Sequence, residues 1–228
     1  MLEKDDKVHF INDDVFTYDG ILTNSDYFKK GEVIIQDLSS SLIPKVLDVS
    51  RNMTVLDACS APGTKTQEIA MFMQNEGEII AQDIYEKRVQ LIDHLMLKTG
   101  VSIVKTKVQD SSVLNEEYIN KFDRVLLDAP CSGLGDLRHK PEIRFHLKPD
   151  NIDELTSLQK KLLEVNGQYV KEGGILVYST CTLNKKENEK QIQTFLKNHS
   201  EYELIEEKTL FPYIENSDGF YYAKMRRK

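Results

Sequence analysis

The stretch Thr54-Val55-Leu56-Asp57-Ala58-Cys59-Ser60-Ala61-Pro62-Gly63-Thr64-Lys65-Thr66 decides how this chain reads. An apolar run ends in an acid, a small-residue loop follows, and a helical pattern over residues 66–74 takes over. Strand, loop and helix in that order make half of a βαβ unit. The same unit recurs downstream. Glu78-Ile79-Ile80-Ala81 predicts a second strand ending at Gln82-Asp83. Residues 86–98 predict a helix, with Val89, Ile92, Leu95 and Met96 at helical spacing and Gly100 beyond. Residues 101–104 predict a third strand, with Asp110 after it. A short helix near 115–119 leads to the strand Val125-Leu126-Leu127, which runs into Asp128-Ala129-Pro130-Cys131. A helix over 152–170 stops at Gly173-Gly174, and Ile175-Leu176-Val177 opens a strand that ends in Ser179-Thr180-Cys181-Thr182. A helix over 185–198 and two strands, at 202–204 and 219–224, close the chain. This alternation predicts an α/β fold: a mostly parallel sheet with helices on both faces and a C-terminal antiparallel hairpin.

Upstream, residues 37–48 predict a helix. Ser39, Ser40 and Ser41 are candidate caps, and Pro44 is placed in or near the first turn. Residues 1–36 hold short extended pieces with a turn at Asp19-Gly20, too little for a core of their own. They read as a lead-in layer or the tail of a further domain.

Bulk properties narrow the function. Thirty Lys and Arg against 37 Asp and Glu leave a net charge of −7. That weighs against a surface that grips nucleic acid everywhere and leaves room for a local basic patch. Three cysteines with no CxxC spacing give neither a disulfide framework nor a zinc site, so no metal is expected. Free thiols suit a reducing cytoplasm. No apolar run reaches the ~20 residues of a membrane span, and no membrane partner is expected.

In sheets of this kind ligands bind beyond the carboxyl ends of the strands. Asp57, Asp83, Asp110, Asp128, Cys131 and Cys181 all fall there. One glycine, Gly63, stands where a dinucleotide fingerprint needs three, which disfavours NAD. Asp83, twenty residues further on, can accept hydrogen bonds from ribose hydroxyls, and Asp110 can meet an adenine amino group. Each aspartate could instead cap a helix. The 132–150 stretch is long, polar and rich in Gly and Pro, as functional loops are.

Three motifs together, Asp57-Ala58-Cys59-Ser60-Ala61-Pro62-Gly63-Thr64-Lys65-Thr66, Asp128-Ala129-Pro130-Cys131-Ser132-Gly133 and Ser179-Thr180-Cys181-Thr182, resemble those of the RNA 5-methylcytosine methyltransferases, the Sun/NOL1/NOP2 family. The match is nearest to its bacterial small-subunit (16S) ribosomal RNA branch. Gln36-Asp37-Leu38-Ser39-Ser40 and the ending Asp218-Gly219-Phe220-Tyr221-Tyr222-Ala223-Lys224 extend the likeness. It implies a Rossmann-like S-adenosylmethionine-dependent methyltransferase fold over residues 37–228, with 1–36 an extension or the remnant of an RNA-binding subdomain. It implies S-adenosyl-L-methionine as cofactor, held by Cys59, Ser60, Ala61, Pro62, Gly63, Thr64 and Lys65, with Asp83 at the ribose, Asp110 at the adenine and Asp128 lining both pockets. Cys181 is implied as the nucleophile that adds to cytosine C6, Cys131 as the residue that helps expel the enzyme, and Asp128 as the partner of ring N3. The base that removes the C5 proton is not identified.

One departure stands out. Thr64 replaces the second of two glycines common in the family, and a β-branched residue is strained if the backbone there is left-handed. The implied partner is RNA, ribosomal RNA foremost. Lys29, Lys30, Arg138, His139, Lys140, Arg144, Lys185, Lys186 and Arg226-Arg227-Lys228 are candidate phosphate contacts, and Phe145 adds an aromatic to the 132–150 loop. Two alternatives stay open: methylation of a non-RNA acceptor, and a non-catalytic role in RNA binding or ribosome assembly.

Overall fold

Val55 and Leu56 carry no exposed surface, and the fold is built outward from them. The computed structural model describes residues 5–228. The elements in order are β1 (Val8–Phe10), β2 (Phe16–Tyr18), α1 (Asp26–Lys29), α2 (Leu38–Leu47), β3 (Thr54–Asp57), α3 (Thr64–Phe72), β4 (Glu78–Asp83), α4 (Glu86–Thr99) and β5 (Val104–Val108). Then come β6 (Phe122–Asp128), α5 (Ile143–His146), α6 (Pro149–Gly167), β7 (Val170–Thr180), α7 (Glu189–Asn198), β8 (Tyr202–Leu210), α8 (Pro212–Glu215) and β9 (Phe220–Arg227). Seven strands form one sheet in the order β5-β4-β3-β6-β7-β9-β8. The first five strands of that order are parallel, while β9 pairs antiparallel with both β7 and β8.

Strand side chains alternate between faces, and both faces are apolar here. Val55, Ile79, Leu126 and Val177 pack with Ile43 and Leu47 of α2 and Ile69 of α3. Leu56, Val125, Leu127 and Leu176 pack with Leu162 and Leu163 of α6 and Ile192 and Phe195 of α7. Each fully buried side chain of this kind contributes about 1.5–3 kcal/mol. Among the described residues no helix is long and apolar enough to cross a membrane.

Several boundaries differ from expectation, each for a local reason. The cap of α2 is Asp37, whose Oδ1 accepts from Ser39 N at 2.9 Å, so none of the three serines starts the helix and Pro44 lies well inside it. Strand β5 begins at Val104, not Val101. It is an edge strand whose Lys105 and Lys107 break the apolar run, as edge strands do. Gly173 and Gly174 do not end a helix before β7; they lie within the strand, beside a register shift opposite Phe122 and Arg124. The expected 202–204 strand runs on to Leu210. In the N-terminal part, β1 and β2 form a separate hairpin, and Asp14 pairs with Lys45 of α2 at 3.0 Å. Residues 33–35 form no strand.

Candidate active site

Register brings the two thiols together. Asp128 of β6 pairs with Ser179 of β7, and paired strands run about 4.8 Å apart. Chains leaving them stay adjacent for the next few residues. The sulfur atoms of Cys131 and Cys181 therefore meet at 3.3 Å.

A thiol pair this close shares one hydrogen bond, and the surroundings decide which sulfur donates. Lys65 reaches in from α3, its Nζ 2.8 Å from Asp128 Oδ2 and 5.5 Å from the centre of the Phe220 ring. Burial works against the charge on Lys65, but Asp128 and then Asp57 carry its pKa above the ordinary value. The second Asp128 oxygen accepts from Ser179 Oγ at 2.8 Å. Cys181 is held below the usual thiol pKa, first by the Cys131 hydrogen bond and then by the Lys65 charge, against burial and the Asp128 and Asp136 carboxylates. Cys131 is pushed well up, by donating to Cys181 and by burial. The opposite shifts make Cys181 the sulfur of the pair that ionises first, with Cys131 as its hydrogen-bond donor.

A cavity of about 420 Å³ runs from the ends of β3, β4 and β5 to these sulfurs. Of the residues expected to hold a cofactor, Cys59, Ala61, Asp83, Asp110 and Asp128 line it. Ser60, Pro62, Gly63, Thr64 and Lys65 do not. Ser60 turns inward, its N and Oγ both donating to Gln82 O, at 2.9 and 3.0 Å. Gly63 takes the left-handed conformation at φ 105° and precedes α3. Thr64 is the first helical residue, so the strain considered for a β-branched side chain at this position does not arise. The left-handed turn needs one glycine, and the chain has it.

Two of the strand-end aspartates meet both local backbone and the cavity. Asp83 Oδ1 accepts from Tyr85 N at 3.2 Å while its Oδ2 lies 3.3 Å from Arg88 Nη1. Asp110 Oδ1 accepts from Ser112 N at 2.8 Å. Each organises local backbone and still borders the cavity. Arg88 was not singled out from sequence, although it lies five residues past Asp83. Its guanidinium also donates to Ala61 O at 3.1 Å, tying the glycine loop to Asp83. Leu158 and Leu162 of α6 supply an apolar wall; their helical spacing marked them only as core. A volume of this size falls within the ~300–1,000 Å³ of small-molecule sites, and an acid beside an apolar wall suits a nucleoside. Cys59 is inert, because burial and nearby carboxylates raise its pKa far above the ordinary thiol range. Asp57 is buried beneath the loop. Thr66 Oγ1 donates to its Oδ2 at 2.6 Å, its Oδ1 has no partner, and burial lifts its pKa to about 7.

The 132–150 stretch is partly helical: α5 interrupts it and Pro149 opens α6. Its cations are largely engaged. Arg138 lies 3.3 Å from Asp37 and 3.1 Å from Asp218, and Lys140 pairs with Asp136 at 2.6 Å. Arg144 stacks over Phe145, which is 72% exposed. Asp37, His139 and Asp218 come close enough together to hold a metal ion, but Arg138 already supplies a cation there. Lys186 pairs with Asp153 at 3.2 Å. Arg226 and Arg227 pair with Ile175 and Tyr202 in the sheet register, at the end of β7 opposite the thiols. Lys29 and Lys30 precede Gly31, which packs on the Lys98 carbonyl near the C-terminal end of α4, far from the strand ends.

Sheet order, strand-end acids and cavity define an α/β domain of the S-adenosylmethionine-dependent methyltransferase class. Two solved structures share the fold closely. NSun6 from Pyrococcus horikoshii with SFG has a TM-score of 0.84 at 30% identity, over 91% of this chain and 56% of that one. A methyltransferase homolog protein from the same organism has a TM-score of 0.84 at 32% identity, over 93% and 75%. The family model for "16S rRNA methyltransferase RsmB/F" matches residues 44–226, and the chain belongs to that family. A Bacillus subtilis protein named "Probable ribosomal RNA small subunit methyltransferase B" is 37% identical over 92% of this chain. The chain spans about half the length of the curated relatives it matches, 51% in that case.

Proposed function

We propose that this chain methylates cytosine C5 in RNA, with 16S ribosomal RNA as acceptor, through a covalent bond between Cys181 and cytosine C6. Residues 37–228 are the catalytic unit in this reading. The observation that carries it is the 3.3 Å pair of thiols at the end of a nucleoside-sized cavity. Family membership supports it, as does a structural neighbour solved with SFG, an S-adenosylmethionine analogue.

Cytosine C5 is a weak nucleophile. Addition of the Cys181 thiolate to C6 makes C5 an enamine carbon, which splits one hard step into easier ones. A thiolate is needed, and the Cys131 hydrogen bond and the Lys65 charge both favour that form of Cys181. Asp128 faces the N3 edge of the ring. A proton passed from the Lys65 ammonium, 2.8 Å from Asp128 Oδ2, through the Asp128 carboxyl to N3 neutralises the charge that builds in the ring during attack. Asp83 and Arg88 hold the ribose end of the cofactor and Asp110 its adenine; bound S-adenosylmethionine supplies an electrophilic methyl group. Loss of the C5 proton and of the Cys181 sulfur then restores the aromatic ring, and Cys131 assists that release. The target base has to leave its stack to reach a half-buried thiol.

Two variants test the division of labour on a 16S ribosomal RNA fragment. Cys181→Ala is expected to abolish both methyl transfer and the protein–RNA adduct. Cys131→Ala is expected to form the adduct and accumulate it. Bisulfite mapping of the product identifies the modified base. Turnover in the Cys181 variant, or methyl incorporation into a position other than cytosine C5, sinks the mechanism.

A further inference from the structure

Behind the two thiols lies a buried acid that the proposed chemistry does not use. Glu187 has no exposed surface. Its Oε2 accepts from Ser132 N at 2.8 Å and from Gln159 Nε2 at 3.1 Å. Its Oε1 accepts from Ser132 Oγ at 2.6 Å and from Asn184 Nδ2 at 3.1 Å. A carboxylate has about four acceptor sites, and here all four are filled by donors without a cation among them.

Three of those donors come from the two thiol loops, Ser132 N and Oγ from one and Asn184 Nδ2 from the other. Ser132 follows Cys131 and Thr182 follows Cys181 in the chain. With its proton committed to Glu187, Ser132 Oγ accepts from Thr182 Oγ1 at 2.9 Å. Gln159 of α6 adds a third tie, because its Nε2 also donates to Pro130 O at 2.9 Å. Pro130 and Ser132 flank Cys131, so the loop is held on each side of the thiol.

We propose that Glu187 is a positioning residue whose carboxylate gathers the two cysteine loops and sets the separation of their sulfurs. This rests on the covalent reading above for its consequence in catalysis, but not for its geometry. An amide cannot replace the carboxylate here. With its NH₂ on one side a glutamine would oppose Ser132 N and Gln159 Nε2; on the other it would oppose Asn184 Nδ2 and force the Ser132 hydroxyl to turn and accept, so either orientation breaks at least one tie to a thiol loop. The thiols would then drift apart, and Cys181 would lose the hydrogen bond from Cys131 while Lys65, Asp128 and Asp136 still faced it.

The test is peptide-resolved alkylation of Cys181 by iodoacetamide across pH, in the full chain without RNA. In the wild-type chain the midpoint is expected below the ordinary thiol value of about 8.5. In Glu187→Gln it is expected to rise towards or past that value. Methyl transfer should fall about 10²-fold in kcat, the size of loss that small misplacements cause, with KM for S-adenosylmethionine changed less, about twofold, because Asp83, Arg88 and Asp110 at the other end of the cavity stay in place. If Glu187→Gln does not fold, Ser132→Ala cuts the Oγ link and keeps the backbone donor, and the same midpoint shift is expected. An unchanged midpoint in a folded variant overturns the proposal, even where its melting temperature drops. A wild-type chain that fails to methylate RNA overturns the functional reading instead, and leaves the alkylation result to decide on Glu187.

Discussion

At the scale of single residues, Lys65 has two jobs that one substitution separates. Its ammonium pairs with Asp128 and lowers the Cys181 pKa. Lys65→Met keeps the packing over Phe220 and removes the charge. The Cys181 alkylation midpoint should rise, and methyl transfer should fall tenfold or more, since charge aimed at the reacting group is a large catalytic term. Unaltered alkylation would mean that Cys131 alone holds the thiolate. Asp57 gives a prediction of a different kind. Its pKa is about 7 in the fold and about 3.9 in an open chain. Between those values the folded state binds the extra proton, so stability falls as pH rises from about 4 to 7. The shift corresponds to about 4 kcal/mol by linkage, an order of magnitude that ligand binding at the loop would alter. Asp57→Asn keeps an acceptor for Thr66 and removes the titration. Urea melts at pH 5 and pH 8 should differ less in the variant than in the wild type; an equal difference in both places the pH dependence elsewhere, with Glu68, also raised to about 7 by burial, the next group to test.

At the scale of elements, the loop after β6 is locked to the loop after β7 and to the start of β9. Gly135 N donates to Cys181 O at 2.9 Å, and Gly219 N donates to Gly135 O at 3.0 Å. A Cβ at Gly135 would overlap the Gly219 carbonyl and lie 2.8 Å from Cys181 O. Gly135→Ala should cost about 1–3 kcal/mol by overpacking and abolish methyl transfer. Binding of S-adenosylmethionine should persist, because Gly135 does not line the cavity. Chemical denaturation and equilibrium dialysis together check this, and weakened cofactor binding would mean that the lock reaches further than the thiols. The contact also marks where sequence reading ran out. Buried parallel strands such as β3 and β6 are legible because both faces are apolar, and strand-end acids and thiols are legible because ligands gather there. Edge strand β5 was misplaced because solvent-facing lysines interrupt its pattern. The Arg88–Ala61 clamp and the Glu187 network were invisible because they join residues 27 to 55 positions apart through polar atoms, and no local periodicity encodes such pairs. Whether Thr64 is strained depended on a backbone conformation that the motif does not encode; Gly63 takes the left-handed turn and Thr64 opens α3.

At the scale of the whole molecule, charge and chemistry are arranged in opposition. The chain carries a net −7, yet the proposed acceptor is a polyanion. The cations nearest the thiols are largely spent on carboxylates: Lys65 on Asp128, Arg138 on Asp37 and Asp218, Lys140 on Asp136, Lys186 on Asp153. Exposed pairs are weak, about 0–1 kcal/mol, so phosphate could displace a carboxylate from one of them. Each displacement, however, leaves that carboxylate facing the RNA backbone and returns little net attraction. Arg144 and Lys185, which form no ion pair among the described residues, are the contacts that release counterions at full value. The terminal Arg226 and Arg227 lie at the wrong end of the sheet to add to them. With two to three effective phosphate contacts and about −0.7 per contact on a single strand, the plot of log affinity against log salt for this chain should have a slope of about −2. A fluorescence-anisotropy titration of a single-stranded 16S ribosomal RNA fragment between 50 and 200 mM salt reads it directly. A slope of about −4 or steeper would require the paired cations to leave their carboxylates together, and would make the Arg138 cluster the RNA grip instead of a structural tie. A shallow slope leaves recognition to the extruded base and to the shape of the cavity end where Asp128 and the two thiols converge.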